Sequence, residues 1–327
     1  QAMKKHTTYG SEPLTKERPI ISKKIQALSL TLMMLVGPFS LADHVCGDTG
    51  VWIQILGAGG PEIDDTQRGT SYLVWNDNKA RVLIDTGPGS SVGFDQAEAD
   101  FADLYAIAYT HLHADHAADL PSYITGSYFE DREVPLIVLG PDSHNPIFPD
   151  TQTFVNRLIG PSGAFSYLAD FLTHKSSGGY RLRVRNVPSM GKRRWARFGN
   201  EELKLSAIPV NHGEVPALAW RVDIDDTAVV FTGDFNNLKN VMPEFAKSAD
   251  ALIANHAIPE NSRGTQRELH ILPSQLGRIA HQANARMLIL GHRMNRTRGR
   301  ESQTRQHIAK SYDGYVLFAN DGECWGL

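Results

Sequence analysis

Apolar residues in this chain fall in short runs closed by Gly, Pro, Asn and Asp, the pattern of strands ended by turns. Val51 to Leu56 is the first such run, and it leads into Gly57-Ala58-Gly59-Gly60-Pro61. Ser71 to Trp75 and Arg81 to Asp85 flank Asn76-Asp77-Asn78, which predicts a hairpin. Leu104 to Tyr109 predicts a buried strand, and Leu136 to Leu139 a shorter one. Further on come Leu203 to Val210, a second hairpin from Ala217 to Val222 and Thr227 to Phe231, then Ala251 to Ala254, Met287 to Leu290 and Tyr315 to Ala319. Helical patterning is confined to Ala117 to Phe129, Phe154 to Ile159, Phe165 to Leu172 and Pro273 to Ala285, the last with Pro at its start. No internal repeat stands out. With 327 residues, the chain fills one large α/β domain or two small ones.

The N-terminal stretch follows a different pattern. Lys23-Lys24 precede an apolar run from Ile25 to Val36, broken by Gly37-Pro38, and Ser40-Leu41-Ala42 supplies small residues before a cut. That is the layout of a secretory signal peptide, so residues 1–42 are expected to be a leader cleaved after Ala42, and 43–327 the catalytic domain. The run is shorter than the roughly 20 residues of a membrane span, so no stable span is expected after cleavage. A periplasmic or secreted location follows. In an oxidising compartment Cys46 and Cys324, the two cysteines of the chain, are expected to form a disulfide between the ends of the domain.

Charge narrows the partners. Residues 43–327 hold 27 basic and 34 acidic side chains. So acidic a body argues against nonspecific binding to nucleic acid and favours a small-molecule substrate. One exception is residues 181–197, with Arg181, Arg183, Arg185, Lys192, Arg193, Arg194 and Arg197, read as a solvated basic loop or a substrate-gripping arm.

Chemistry concentrates in Thr110-His111-Leu112-His113-Ala114-Asp115-His116, directly after a predicted strand. Alternation along extended chain lets His111 and His113 project to one side, with Asp115 and His116 in the following turn. Two imidazoles then face one metal, and a carboxylate with a third imidazole faces a second. Each metal wants about four ligands, so partners must come from elsewhere. His212, Asp234 and His292 each follow an apolar strand-like run. Asp85, at another strand terminus, is either a brace for a ligand histidine or a turn residue. The Gly57–Pro61 segment lacks the spacing of a phosphate- or dinucleotide-binding loop and reads as a tight turn beside the site.

Taken together, these residues resemble the metallo-β-lactamase superfamily over roughly Val51 to Asn320. The resemblance implies an α/β fold, a four-layer αβ/βα sandwich of two mixed β-sheets flanked by helices, with metals at one edge. It implies His111, His113 and His212 on one zinc, Asp115, His116 and His292 on the other, and Asp234 bridging both. The Thr232-Gly233-Asp234 form is similar to that of ribonuclease Z, arylsulfatase-like members, phosphodiesterases and lactonases. Leu269-His270-Ile271-Leu272-Pro273 is similar to the ribonuclease Z region that places a non-ligand histidine beside the reacting centre, against the alternative of a helix-capping residue.

The implied chemistry is hydrolysis by a hydroxide held between two divalent ions about 3.5–4 Å apart. Asp115 orients the attacking group and His270 supplies a proton or an oxyanion partner. Two zinc ions are the default, with manganese or iron able to use the same ligands. Arg293, Arg296, Arg298 and Arg300, following His292, favour small anionic esters such as phosphodiesters or aryl sulfates. A β-lactam or lactone hydrolase, or a catalytically silent metal-binding module, are the alternatives.

Overall fold

The computed structural model describes residues 46–47, 49–173 and 179–327. The expected leader, residues 1–42, lies outside them.

Strands carry most of the order. In chain order they are β1 (Val51–Gly57), β2 (Ser71–Asn76), β3 (Lys79–Ile84), β4 (Ala106–Ala108), β5 (Leu136–Pro141), β6 (Leu182–Val187), β7 (Trp195–Gly199), β8 (Leu203–His212), β9 (Val215–Ile224), β10 (Thr227–Phe231), β11 (Ala251–Asn255), β12 (Met287–Gly291), β13 (Tyr315–Phe318) and β14 (Cys324–Gly326). The helices are α1 (Ser90–Gln96), α2 (Ala114–Ala117), α3 (Leu120–Gly126), α4 (Thr151–Ile159), α5 (Asp170–Thr173), α6 (Met242–Phe245), α7 (Thr265–Leu269), α8 (Pro273–Gln282) and α9 (Glu301–Ile308).

Two seven-stranded sheets form, ordered β14-β1-β2-β3-β4-β5-β6 and β13-β12-β11-β10-β9-β8-β7. Each is mixed. In the first, β1, β2 and β3 are antiparallel and β3 to β6 parallel. In the second, β7 to β10 are antiparallel and β10 to β13 parallel. One apolar cluster, including Ile53, Val82, Leu205, Trp220 and Ile289, fills the space between the sheets. A second packs Leu73, Leu83 and Ile107 under helix residues such as Ile124 and Val155. The third packs Leu252 and Leu288 under Leu276 and Ile279 of α8. Strands buried on both faces read as continuous apolar runs, which is why β4, β11 and β12 show no alternation in the sequence. The four-layer sandwich expected from the resemblance is the fold observed.

Local differences have physical causes. Helical structure begins at Ala114, so Asp115 and His116 stand on the one-turn α2 rather than in a turn. The run from Ala117 to Phe129 is broken, because Pro121 starts a new helix, α3, and a 3-10 turn follows over Ser127–Phe129. The segment from Phe165 to Leu172 holds a 3-10 turn and the start of α5. The basic stretch 181–197 is not a loop: its two ends are β6 and β7, the outermost strands of the two sheets. β14 and α9 have no apolar pattern strong enough to predict them.

Cys46 and Cys324 form a disulfide across a sequence separation of 278, with Cα atoms 5.8 Å apart. β14, which carries Cys324, pairs with β1. The bond therefore fastens the start of the described chain to its last strand. Among the described residues, no helix is long and apolar enough to cross a membrane.

Candidate metal centre

In open parallel sheets, functional groups gather beyond the carboxyl ends of the strands, where connections diverge. Both sheets put their parallel ends on one edge here. The first sheet contributes Asp85 after β3 and His111 to His116 after β4. The second contributes His212 from the β8–β9 hairpin, Asp234 after β10, Asn255 at the end of β11 and His292 after β12. Two bonds tie the sheets at this edge: Leu218 N donates to Thr110 O at 2.8 Å, and Trp220 Nε1 to Tyr109 O at 2.8 Å.

The predicted ligands converge. His111, His113, His212 and Asp234 place donor atoms within 4.8 Å of one another, and so do Asp115, His116 and His292. Asp234 divides its oxygens between the groups. Its Oδ2 lies 3.9 Å from His111 Nε2 and 3.5 Å from His212 Nε2. Its Oδ1 lies 3.9 Å from His116 Nε2 and 3.6 Å from His292 Nε2. Asp115 Oδ2 completes the second group, 3.5 Å from His116 Nε2 and 3.2 Å from His292 Nε2.

Hydrogen bonds behind the rings settle how they are held. His116 Nδ1 lies 2.7 Å from Asp85 Oδ2, so that ring is pinned from behind and its Nε2 points to the centre. Asp85 is itself fixed by the Thr110 amide and hydroxyl, both at 2.7 Å. His212 Nδ1 lies 2.8 Å from the Leu269 carbonyl. Outward anchoring of this kind selects the tautomer that presents a lone pair inward. The inner atoms His116 Nε2 and His212 Nε2 are buried and find no hydrogen-bond partner in the protein. Unpartnered buried ring nitrogens beside carboxylates are costly unless a cation takes their lone pairs. The donor set, all nitrogen and carboxylate oxygen, fits a pair of divalent transition ions.

Electrostatics point the same way. Burial would raise the Asp234 carboxyl, but the surrounding imidazoles of His292, His270, His212 and His116 hold it well below the usual range. Burial likewise opposes ionisation of Asp115, and His116 and His292 bring it down to about 2. Burial disfavours a charged His116, yet Asp115 and Asp85 push it up to about 9. His111, buried and without a carboxylate as close, falls well below its ordinary value. The two ionised carboxylates are balanced by positive charge on the surrounding imidazoles, or by cations that take its place.

Backbone conformation serves the same end. Asp85 and His292 adopt left-handed φ values of 58° and 48°, uncommon for residues with a Cβ. Such conformations persist where surrounding structure over-determines them, and they cluster at functional sites. Gly60 is needed because a Cβ there would stand 2.8 Å from the His292 ring. The glycine-rich segment after β1 is thus the wall against which His292 rests, in keeping with a tight turn beside the site. Gly233, at φ 58°, lets the chain turn into Asp234 with Thr110 packed where a Cβ would sit.

A cleft of about 360 Å³ opens onto the cluster, lined by Pro61, Asp115, Asp234, His270, Met294 and Arg296 among others. His270 Nδ1 lies 3.8 Å from Asp234 Oδ2, and burial brings its pKa down to about 4. It follows α7 and stands in the cleft wall, not as a surface cap of α8.

Of the four arginines after His292, Arg296 alone lines this cleft. Arg293 is buried and turned to Glu301 and Asn320, and Arg298 donates to the Asp65 carbonyl. Arg300 lines a separate cleft beside α9. Their expected role as a shared anion site therefore contracts to one side chain. The basic stretch 181–197 contributes nothing to the lining. Asn255, whose amide donates to Asp234 Oδ1, belongs to no motif in the sequence. A polar residue closing an apolar strand is the available signal.

Comparison with known proteins agrees with this geometry. The family model described as a beta-lactamase superfamily domain matches residues 80–293. Ribonuclease Z of Mycobacterium bovis is 26% identical over 287 residues, covering 82% of this chain and 95% of that protein. Ribonuclease Z of Metallosphaera sedula is 23% identical over 274 residues, covering 78% and 92%. Among solved structures, the short form of human tRNase Z superposes with a TM-score of 0.65 at 17% identity, covering 84% of this chain and 98% of that one. The metallo-beta-lactamase fold protein YhfI of Bacillus subtilis gives 0.63 at 19%, with the same coverage.

Proposed function

The chain belongs to the beta-lactamase superfamily, and on that premise we propose that it is a dinuclear zinc hydrolase of phosphodiesters. One observation carries the reading: the Asp234 carboxylate gives one oxygen to each of two complete donor groups. His111, His113 and His212 would hold one ion, Asp115, His116 and His292 the other, and Asp234 both. Two such ions supply a nucleophile near neutral pH and offset charge on attacking and leaving oxygens.

The chain's own residues do the rest. Asp115 lies in the cleft wall, where its carboxylate orients the attacking group. His270, which also lines the cleft, offers a ring N–H to the leaving oxygen. Arg296, held by its Nε to the Ala257 carbonyl at 2.6 Å, places fixed positive charge at the mouth and favours an anionic ester. The cleft volume suits a reacting unit of small-molecule size. The ribonuclease Z names of the relatives support phosphodiester over sulfate ester.

Steady-state rates on bis-p-nitrophenyl phosphate, an aryl sulfate and a chromogenic cephalosporin test this. Turnover of the phosphodiester is expected to lead, and activity confined to the cephalosporin overturns it in favour of ring hydrolysis. Metal-loaded protein inert on all three makes it a silent metal-binding module. His270→Ala is expected to keep both ions and lose about a hundredfold or more in rate; an unchanged rate removes His270 from the chemistry. Export is part of the same proposal, supported by the leader-like sequence before Ala42 and the Cys46–Cys324 bond. N-terminal sequencing of the mature protein tests it, with a start at Asp43 expected.

A further inference from the structure

The acidity of the domain hides a segregation of charge. Residues 181–200 contain seven Lys or Arg and no Asp or Glu. Because β6 closes one sheet and β7 the other, this stretch follows one side of the sandwich from sheet to sheet. Arg183 and Arg185 register with Ile137 and Leu139, whose side chains face the opposite sheet. Their guanidinium groups therefore emerge at the open edge between the sheets, where Trp195 and Phe198 of β7 pack. Arg193 stacks over Trp195 at 4.5 Å. Arg194 alone of the seven reaches a carboxylate among the described residues, Asp223 at 3.7 Å. Arg183, Arg185, Lys192, Arg193 and Arg197 are exposed.

This edge is joined to the cleft. Lys239 donates to the Ser189 carbonyl at 3.3 Å, and burial first and the nearby Lys192 second lower its pKa. Three residues earlier, Asn236 donates to Asn211 and to the Glu268 carbonyl, which flank His212 and Leu269 of the cleft. A chain of contacts thus links the basic edge at β6 and β7, through Lys192 and Lys239, to residues that flank the cleft.

We propose that the β6–β7 edge is a docking surface for a single-stranded nucleic acid, whose phosphates it grips outside the cleft while one phosphodiester enters it. The proposal rests on the phosphodiesterase reading above and extends it to a polymeric substrate. Six of the seven cations are Arg, whose planar fork matches phosphate oxygens and stacks on rings. Met190 is the one large apolar side chain exposed within the stretch, too little for insertion into a bilayer. An acidic body with one basic edge also confines a polyanion to a single track.

Fluorescence anisotropy with labelled oligouridylate and oligothymidylate, in EDTA to prevent turnover, measures the binding. Tight binding at low salt is expected, weakening as salt rises. The triple variant Arg183→Gln, Arg185→Gln and Arg193→Gln should lower the slope of log affinity against log salt by about 2, at ~0.7 for each single-strand phosphate no longer neutralised. The Arg→Lys triple should keep the slope, and both should melt like the parent and hydrolyse bis-p-nitrophenyl phosphate at the parent rate. Preference for uridylate over thymidylate identifies RNA as the polymer, and the reverse identifies DNA. No binding by the parent, equal slopes in the Gln triple and the parent, or binding to phosphatidylserine vesicles in place of oligonucleotides overturns the proposal. Charge-dependent binding in a protein inert on bis-p-nitrophenyl phosphate leaves the surface standing and sinks the phosphodiesterase reading instead.

Discussion

The two sheets build the proposed metal centre in different ways. The first supplies His111, His113, Asp115 and His116 from one unbroken segment of six residues, braced from behind by Asp85. The second supplies His212, Asp234 and His292 from three connections separated by long stretches of chain. Ligands on one segment are placed by local geometry: a strand end, one extended residue and a single helical turn. Dispersed ligands are placed by the sheet itself, because each sits at the end of a strand whose register is set far away. The first half should therefore respond to changes in its brace, and the second to changes in the backbone that seats each residue.

Among changes outside the proposed ligands, the largest effect on metal binding should follow removal of the brace. Asp85→Asn keeps the shape but takes the carboxylate from His116 Nδ1, and loss of such an outer partner typically costs 10–100-fold in metal affinity. Competition with a chromogenic chelator should show the ion held by Asp115, His116 and His292 weakened and the other little changed. Equal weakening of both would mean that Asp85 acts on the pair as a whole and not through His116.

Gly60→Ala probes the dispersed half. A Cβ 2.8 Å from the His292 ring forces movement of the ring or of the segment after β1. A loss of about 1–3 kcal/mol in stability, the usual cost of overpacking, is expected with selective weakening of the same ion as above. Full retention of both ions and of the melting temperature would show that His292 is not seated by that wall.

The disulfide lies outside both halves and serves as a control. Cys46→Ser should cost at most about 6 kcal/mol by the loop-entropy argument for so long a loop. Rate and metal content of the folded protein should stay unchanged, because neither cysteine lines the cleft. Loss of metal in this variant would tie the centre to the chain ends and erase the distinction between the halves.

The same contrast explains how much can be read from the sequence. The contiguous ligands are legible because their spacing survives in one dimension. His212, Asp234 and His292 become legible only in the company of that motif, since a lone polar residue after a strand is most often a cap. Asn255 and Thr110 act through contacts between strands and the wall at Gly60 through one between sheets, and no local pattern reports those. The arginines after His292 show the opposite failure. Adjacent in sequence, they point to different neighbours, because the left-handed turn at His292 and the helix at Glu301 scatter them. The basic stretch reads as a loop because exposed edge strands lack the apolar run that betrays buried ones. Its burial pattern alternates only weakly.

The central claim is that Asp234 joins the two halves into one dinuclear centre. Metal content per folded chain, measured by mass spectrometry for the parent and for Asp234→Ala, tests it most directly. Two divalent ions are predicted for the parent, and for the variant a loss of metal from the pair together with loss of hydrolysis. Two ions retained with full activity in Asp234→Ala would contradict the account.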